Sequence, residues 1–300
     1  MDLLRTPEAR FDAVPDFDFP VSYVDDLPGY EGLRVAYVDT GPGAGGETFL
    51  CLHGQPTWSF LYRKMTPAFV RAGHRVIAPD LAGFGRSDKP VDDAVYTFDF
   101  HRDLLLALLG RLDATNLTLV CQDWGGLLGL TLPMEMPERF TGLVVMNTTL
   151  GTGDAPLTPG FLDWRAYVAR TPDLDCGRLL ARSVGTLSAA EAAAYEAPFP
   201  DARHKAGVRR FPQLVPDAPD APGAAISRRA RDWWSRSWSG RTLMAIGEAD
   251  PVLGPPVMEA LRGTIRGCPP PMRLPAAGHF VQEWGEPIAE EAVRRWRAGA

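Results

Sequence analysis

The chain reads as an α/β protein, a mostly parallel sheet flanked by helices with a helical cap inserted late in the order. Three observations predict this. Short apolar runs bounded by turn residues alternate with longer amphipathic stretches, the rhythm of strands buried on both faces and of the helices that cross between them. That rhythm breaks from about residue 151 to about residue 223 and then resumes. In Val120-Cys121-Gln122-Asp123-Trp124-Gly125-Gly126 a carboxylate sits where a strand must turn sharply into a helix.

Residues 33–38, 48–52, 74–78, 117–121 and 143–146 are the expected strands of the first half, and 100–109 is an amphipathic helix between two of them. The strands before Thr48 leave no room for a crossover helix, so they are expected to pair antiparallel at one edge. Helical, Ala- and Arg-containing sequence fills 151–223 and ends in the Pro- and Gly-rich stretch 217–223, which reads as its exit linker. Residues 242–246, 272–274 and a terminal helix from about Pro287 complete the alternation. The expected organisation is a core from 1–150 and 224–300 carrying a helical cap at 151–223 over the cleft.

Composition bounds the function. Three hundred residues, 45% hydrophobic and 23% charged, fit one soluble α/β core with an insertion. The formal net charge of -6 opposes binding to nucleic acid or to an anionic membrane surface. The basic clusters Arg209-Arg210 and Arg228-Arg229-Ala230-Arg231 read as solvated helix faces. Cys51, Cys121, Cys176 and Cys268 show no C-x-x-C spacing and are expected to be buried thiols, neither disulfides nor metal ligands. No cationic segment followed by an apolar one opens the chain, and no apolar run is long enough to span a bilayer. A cytoplasmic, reducing setting is therefore expected.

The frame around Asp123 is a nucleophile elbow with aspartate in place of the usual serine. Serine needs a base to remove its proton, whereas aspartate is ionised at neutral pH and can displace a leaving group from saturated carbon directly. Open parallel sheets bind ligands at the carboxyl ends of their strands. Asp250 in Gly247-Glu248-Ala249-Asp250-Pro251 and His279 in Ala276-Ala277-Gly278-His279-Phe280 follow strands in this way. Each alone is an ordinary turn or structural residue. In the order nucleophile, acid, histidine, they resemble the triads of the α/β-hydrolase fold. In that fold the loop after the strand at 48–52 supplies one oxyanion-hole N–H and the residue after the nucleophile the other, here Gln55 and Trp124. His53, in the same loop, reads as a packing residue.

The runs 53–65 (His-Gly-Gln-Pro-Thr-Trp-Ser-Phe-Leu-Tyr-Arg-Lys-Met) and 80–90 (Asp-Leu-Ala-Gly-Phe-Gly-Arg-Ser-Asp-Lys-Pro), with Gln122-Asp123-Trp124-Gly125-Gly126, resemble the haloalkane dehalogenases over nearly the whole core. The resemblance implies that the Trp124 indole N–H holds the leaving halide. Branches of that family differ in the second donor and in the acid. One uses an Asn where this chain has Gln55 and a Glu where it has Asn147, an amide that cannot act as an acid. The other uses an Asp at the position of Asp250 and a cap Trp three residues after a Phe, matched by Phe161-Leu162-Asp163-Trp164. The resemblance implies Trp164 as second halide ligand and an apolar pocket of Leu127, Phe161, Pro212, Val215 and Val252. Trp233, Trp234, Trp238, Trp284 and Trp296 read as packing residues. Close relatives carry Glu where this chain has Gln55, which removes a negative charge near the base.

The implied reaction converts a small halogenated aliphatic substrate and water into alcohol, halide and a proton through an alkyl-aspartyl ester, with no cofactor and no metal. An epoxide hydrolase shares the Asp elbow and the histidine, but its cap normally supplies a tyrosine pair, and Tyr167 and Tyr195 stand in no recognised context. A defluorinating relative would carry Arg after the nucleophile. A binding protein of the same fold without activity is a third alternative, against which all three triad positions stand filled.

Overall fold

In the computed structural model, residues 1–42 and 46–298 are described. The chain runs through β1 (Leu3–Leu4), β2 (Val21–Val24), β3 (Val35–Thr40), β4 (Thr48–Leu52), α1 (Thr66–Arg71), β5 (Arg75–Pro79), β6 (Lys89–Pro90), α2 (Phe98–Arg111), β7 (Leu117–Cys121), α3 (Trp124–Gly129) and β8 (Phe140–Met146). There follow α4 (Pro159–Arg170), α5 (Cys176–Val184), α6 (Ala189–Glu196), α7 (Ala206–Leu214) and α8 (Ala224–Arg236), then β9 (Arg241–Gly247), α9 (Pro255–Thr264), β10 (Met272–Leu274) and α10 (Gly285–Ala298). Eight strands form one sheet in the order β10-β9-β8-β7-β4-β5-β3-β2. From β10 to β5 neighbours are parallel, while β3 pairs antiparallel with both β2 and β5, as the missing crossover predicts. The family of short apolar runs is legible here: β4 and β7, in the middle of the sheet, are buried at every residue.

Local sequence explains where the helices begin. Thr97 Oγ1 accepts from the Phe100 N–H at 3.1 Å and opens α2, whose buried Phe98, His101, Leu104, Leu105, Leu108 and Leu109 recur at helical spacing toward the sheet. Thr158, with Pro159 as first helical residue, opens α4, and Ser188 and Glu191 close a reciprocal capping box on α6.

Three expectations change. The two-residue pair β1–β6, which is too short to show a period, ties the N-terminus beside the loop before α2. The strand expected at 33–38 lies at 35–40, because its register against β5 pairs Thr40 with Val76. The arginine clusters are not simply solvated: Arg209 pairs with Asp93 at 2.9 Å, and Arg228 and Arg231 reach Asp154 at 3.7 and 2.5 Å. The four cysteines are free, three of them buried and Cys268 half-buried. No described helix is long and apolar enough to cross a membrane.

The helices α4 to α7 are joined to the sheet layer by buried polar bonds. Trp58 Nε1 donates to the Ala194 carbonyl at 3.0 Å, and Thr6 Oγ1 to that of Pro198 at 2.7 Å. Arg63, almost fully buried, meets Glu283 through two bonds of 2.7 and 2.8 Å and Glu191 of α6 at 2.5 Å, and the Tyr195 hydroxyl donates to Glu283. Burial would raise the Glu283 carboxyl, but Arg63 and Lys64 hold it below the usual carboxylate range. Removing one member of a buried pair strands the other, at a cost of about 3 kcal/mol. Glu283→Gln is therefore expected to lower the unfolding free energy by about that amount in urea titration; a change within the scatter of surface substitutions would show that this network does not hold α6 in place.

Candidate active site

The site begins with a backbone constraint. Asp123 joins β7 to α3 with φ 50° and ψ −127°, a conformation unfavourable for a residue with a Cβ. Its surroundings fix it there. The Asp123 N–H donates to the Asn147 carbonyl at 3.0 Å, and Thr148 Oγ1 donates to the Asp123 carbonyl at 2.7 Å. Glycines make the tight turn sterically feasible: a Cβ on Gly125 would overlap the Leu52 carbonyl, one on Gly126 the Thr148 hydroxyl, and one on Gly54 the Asp123 carboxylate itself. The carboxylate is thereby pushed out at the carboxyl end of the sheet, where Oδ1 accepts the Gln55 N–H at 2.8 Å.

The expected acid and base lie beside it. His279 Nδ1 is 2.8 Å from Asp250 Oδ2, and His279 Nε2 is 3.5 Å from Asp123 Oδ2. Burial disfavours the imidazolium, yet the two flanking carboxylates outweigh it, and the His279 pKa is raised well above its ordinary value. Asp250, whose side chain is fully buried, is held low by the same pair and by donors from Asn147 and the Val252 N–H. His53 packs as expected, its Nε2 accepting the Leu81 N–H at 2.9 Å.

Two residues of the site escaped the sequence reading. Asn147, seen there only as an amide unable to serve as the acid, donates through Nδ2 to Asp250 Oδ2 at 2.9 Å and to the Gly247 carbonyl at 3.0 Å, while its Oδ1 accepts the Gly247 N–H at 2.8 Å. It fixes the acid's orientation. Gln122 Nε2 donates to the His279 carbonyl at 2.9 Å and lies 3.0 Å from His279 Nε2. Its place directly before the nucleophile was the only signal. The Gln55 side chain turns away from the base, donating to the Val208 carbonyl of α7 at 3.0 Å, a bond that an ionised Glu could not make.

Two cavities meet at Asp123. The larger, of about 520 Å³, is walled by Gln55, His279, Trp164 and Leu179 among others. The smaller, of about 350 Å³, includes Trp124, Leu127 and Val215. Asp123, Phe161 and Val252 border both. Of the expected pocket residues, Pro212 is corrected: it is buried within α7, its carbonyl taken by Arg165, and it lines neither cavity. At 100° per residue Phe211 and Val215 share the face toward the site and Pro212 is rotated off it. Phe211, fully buried, lines neither cavity either but packs against Trp124, ring centroids 4.7 Å apart.

The charge balance around the imidazole is measurable. By NMR the His279 ring should titrate above the ordinary histidine range, and both Asp123→Asn and Asp250→Asn should bring it down, since each removes one flanking anion. A titration unmoved by either substitution would refute the electrostatic reading.

Known proteins place this geometry in a family. Residues 47–286 match the family model of the alpha/beta hydrolase fold. A haloalkane dehalogenase of Psychrobacter cryohalolentis is 43% identical over 98% of both chains, and one of Mycobacterium marinum is 42% identical over 99% of this chain and all of that one. A solved tetrameric haloalkane dehalogenase from Paraglaciecola agarilytica superposes with a TM-score of 0.95 at 52% identity over 97% of each chain, and one from Bradyrhizobium elkani with 0.79 at 27% identity over 94% and 98%. With an aspartate at the elbow, a histidine between two carboxylates and relatives of this similarity along its whole length, the chain belongs to the haloalkane dehalogenases.

Proposed function

We propose that the reaction runs through an ester on Asp123. The carboxylate attacks the halogen-bearing carbon, the carbon–halogen electron pair leaves with the halide, and water hydrolyses the resulting alkyl ester to alcohol. His279 takes the water's proton, Asp250 orients and stabilises the imidazolium, and the Gln55 and Trp124 amides hold the tetrahedral oxyanion. The observation that carries this reading is the placement of His279 Nε2, 3.5 Å from Asp123 Oδ2 and aligned by Asp250 on its other nitrogen. Alkylation removes one of the two anions that raise the His279 pKa. The ring's pKa therefore falls as the ester forms, which favours the neutral base at the stage when a base is needed.

The halide reading rests on unused donors. The indole N–H groups of Trp58, Trp234, Trp238 and Trp296 all donate to protein acceptors. Those of Trp124, Trp164, Trp233 and Trp284 have no acceptor among the described residues, and of these four residues Trp124 and Trp164 border the two cavities that join at Asp123. Phe161, Val252, Leu127 and Val215 supply the apolar surroundings that strengthen such donors. Residues 1–150 and 224–300 act as the core and 151–223 as the cap over the cleft. The site needs no cofactor, and the net charge of -6 gives nucleic acid no partner surface. Four free thiols fit a reducing cytoplasm.

His279→Phe separates the half-reactions, because ionised Asp123 needs no base for the first. Intact mass spectrometry should find a stable alkyl adduct on Asp123 and roughly one halide released per site; a folded variant releasing no halide would place His279 earlier. Trp164→Phe deletes a donor while keeping most of the bulk. It should lose on the order of 2–4 kcal/mol of transition-state stabilisation and bind bromide more weakly, with Trp233→Phe as the comparison. Parent-like dehalogenation by Trp164→Phe would move the second donor elsewhere.

A further inference from the structure

The outer wall of the larger cavity carries polar groups that the chemistry at Asp123 leaves idle. Arg182 and Ser183, in the last turn of α5, and Tyr167 of α4 all line it. None of these three side chains has a hydrogen-bond or ion-pair partner among the described residues, and all three are exposed. Two neighbouring arginines are committed to structure. Arg165 holds the Pro212 and Val215 carbonyls and Asp217, and Arg209 holds Asp93. Arg182 is thus a cation set at a ligand cavity and tied to nothing.

The lining combines three kinds of group: Asp123 and His279, whose side chains are 16% and 18% exposed, the apolar Phe161, Leu179 and Val252, and the exposed donors Arg182 and Ser183. Asp163 of α4 is the opposing charge at this wall, and it is also exposed. A guanidinium offers five donors in a fork that matches a carboxylate, whereas Asp163 offers an ammonium only an acceptor. A chain with its halogen-bearing carbon at Asp123 and an anionic far end would match each of these kinds of group.

We propose that Arg182, with Ser183 and Tyr167, forms a subsite for a terminal carboxylate, and that the substrates this chain prefers are ω-halogenated alkanoates. The inference rests on the dehalogenation reading above and refines its substrate class. The bond changes are those already given: the Asp123 oxygen bonds to the terminal carbon, the C–Br pair leaves as bromide, and water yields the ω-hydroxyalkanoate and a proton. Arg182 touches the far end of the substrate alone, so it acts on KM and leaves the bond-breaking step to the triad.

The test compares kcat and KM for 6-bromohexanoate, 6-bromohexylammonium and 1-bromohexane in the parent, Arg182→Gln, Arg182→Glu and Arg178→Gln. Arg178 is an exposed arginine one turn earlier on α5 that does not line the cavity. The parent should favour the carboxylate over the ammonium in kcat/KM. Arg182→Gln should shrink that ratio about fivefold through KM, the upper range for an exposed ion pair, and added salt should do the same. Arg182→Glu should invert the preference, while Arg178→Gln should keep the parent's ratio. A parent that prefers the ammonium would give the wall to Asp163 and overturn the proposal. So would a ratio that Arg182→Gln and Arg178→Gln change equally, which would reduce Arg182 to general surface charge. Turnover of 1-bromohexane in either of those cases leaves the dehalogenation reading standing, whereas halide release from none of the three compounds overturns both.

Discussion

The strained turn at Asp123 is the constraint on which the rest of the site depends. A residue with a Cβ held at φ 50° persists only where its neighbours over-determine it. Here the two residues just after β8 supply both restraints, the Asn147 carbonyl on one side and the Thr148 hydroxyl on the other, while β4 and the loop beyond it approach so closely that Gly54 and Gly125 admit no side chain. The parallel sheet thus presses a carboxylate out at the carboxyl end of its strands. The first N–H groups of α3 are left without helical acceptors just beneath it, and the Gln55 N–H arrives from the adjacent strand end.

Electrostatics then divides the labour. His279 lies between two carboxylates of different character: Asp250 is sealed from solvent and hydrogen-bonded from three directions, whereas Asp123 faces the cavities. The buried anion is a fixed feature of the site, and the cavity-facing anion is the one the proposed chemistry consumes. Because the two together hold the imidazolium, neutralising one shifts the ring toward its basic form without any movement of the backbone. Asn147 matters in this scheme because a carboxylate whose other contacts are fixed can orient only one imidazole tautomer.

The α4–α7 region completes the enclosure through contacts of two kinds. Buried polar bonds, centred on Arg63 and Glu283, tie α6 to the core and set its position. Around the site the contacts are mostly apolar: Phe211 packs at a tilt against Trp124, and Phe161 borders both cavities. A polar anchor away from the site leaves an apolar face toward it, in which the Trp124 and Trp164 indole N–H groups are left unpaired.

The sequence by itself determined the layer order, the antiparallel edge, the elbow and the three strand ends that carry Asp123, Asp250 and His279. Those features are local. A strand buried on both faces must read as an apolar run, and a turn of this kind must be flanked by small residues. Tertiary structure alone decided how residues far apart in the chain face one another. Asn147 lies 103 positions from Asp250 and Gln122 lies 157 from His279, and no periodic pattern links either pair. Pro212 and Phe211 are adjacent, and only the rotation of α7 on the core selects which of them meets the site. The charge on Arg182 is plain in the sequence, but that it stands at a cavity wall without a partner follows from the placement of α5, a consequence of packing that one-dimensional spacing does not encode.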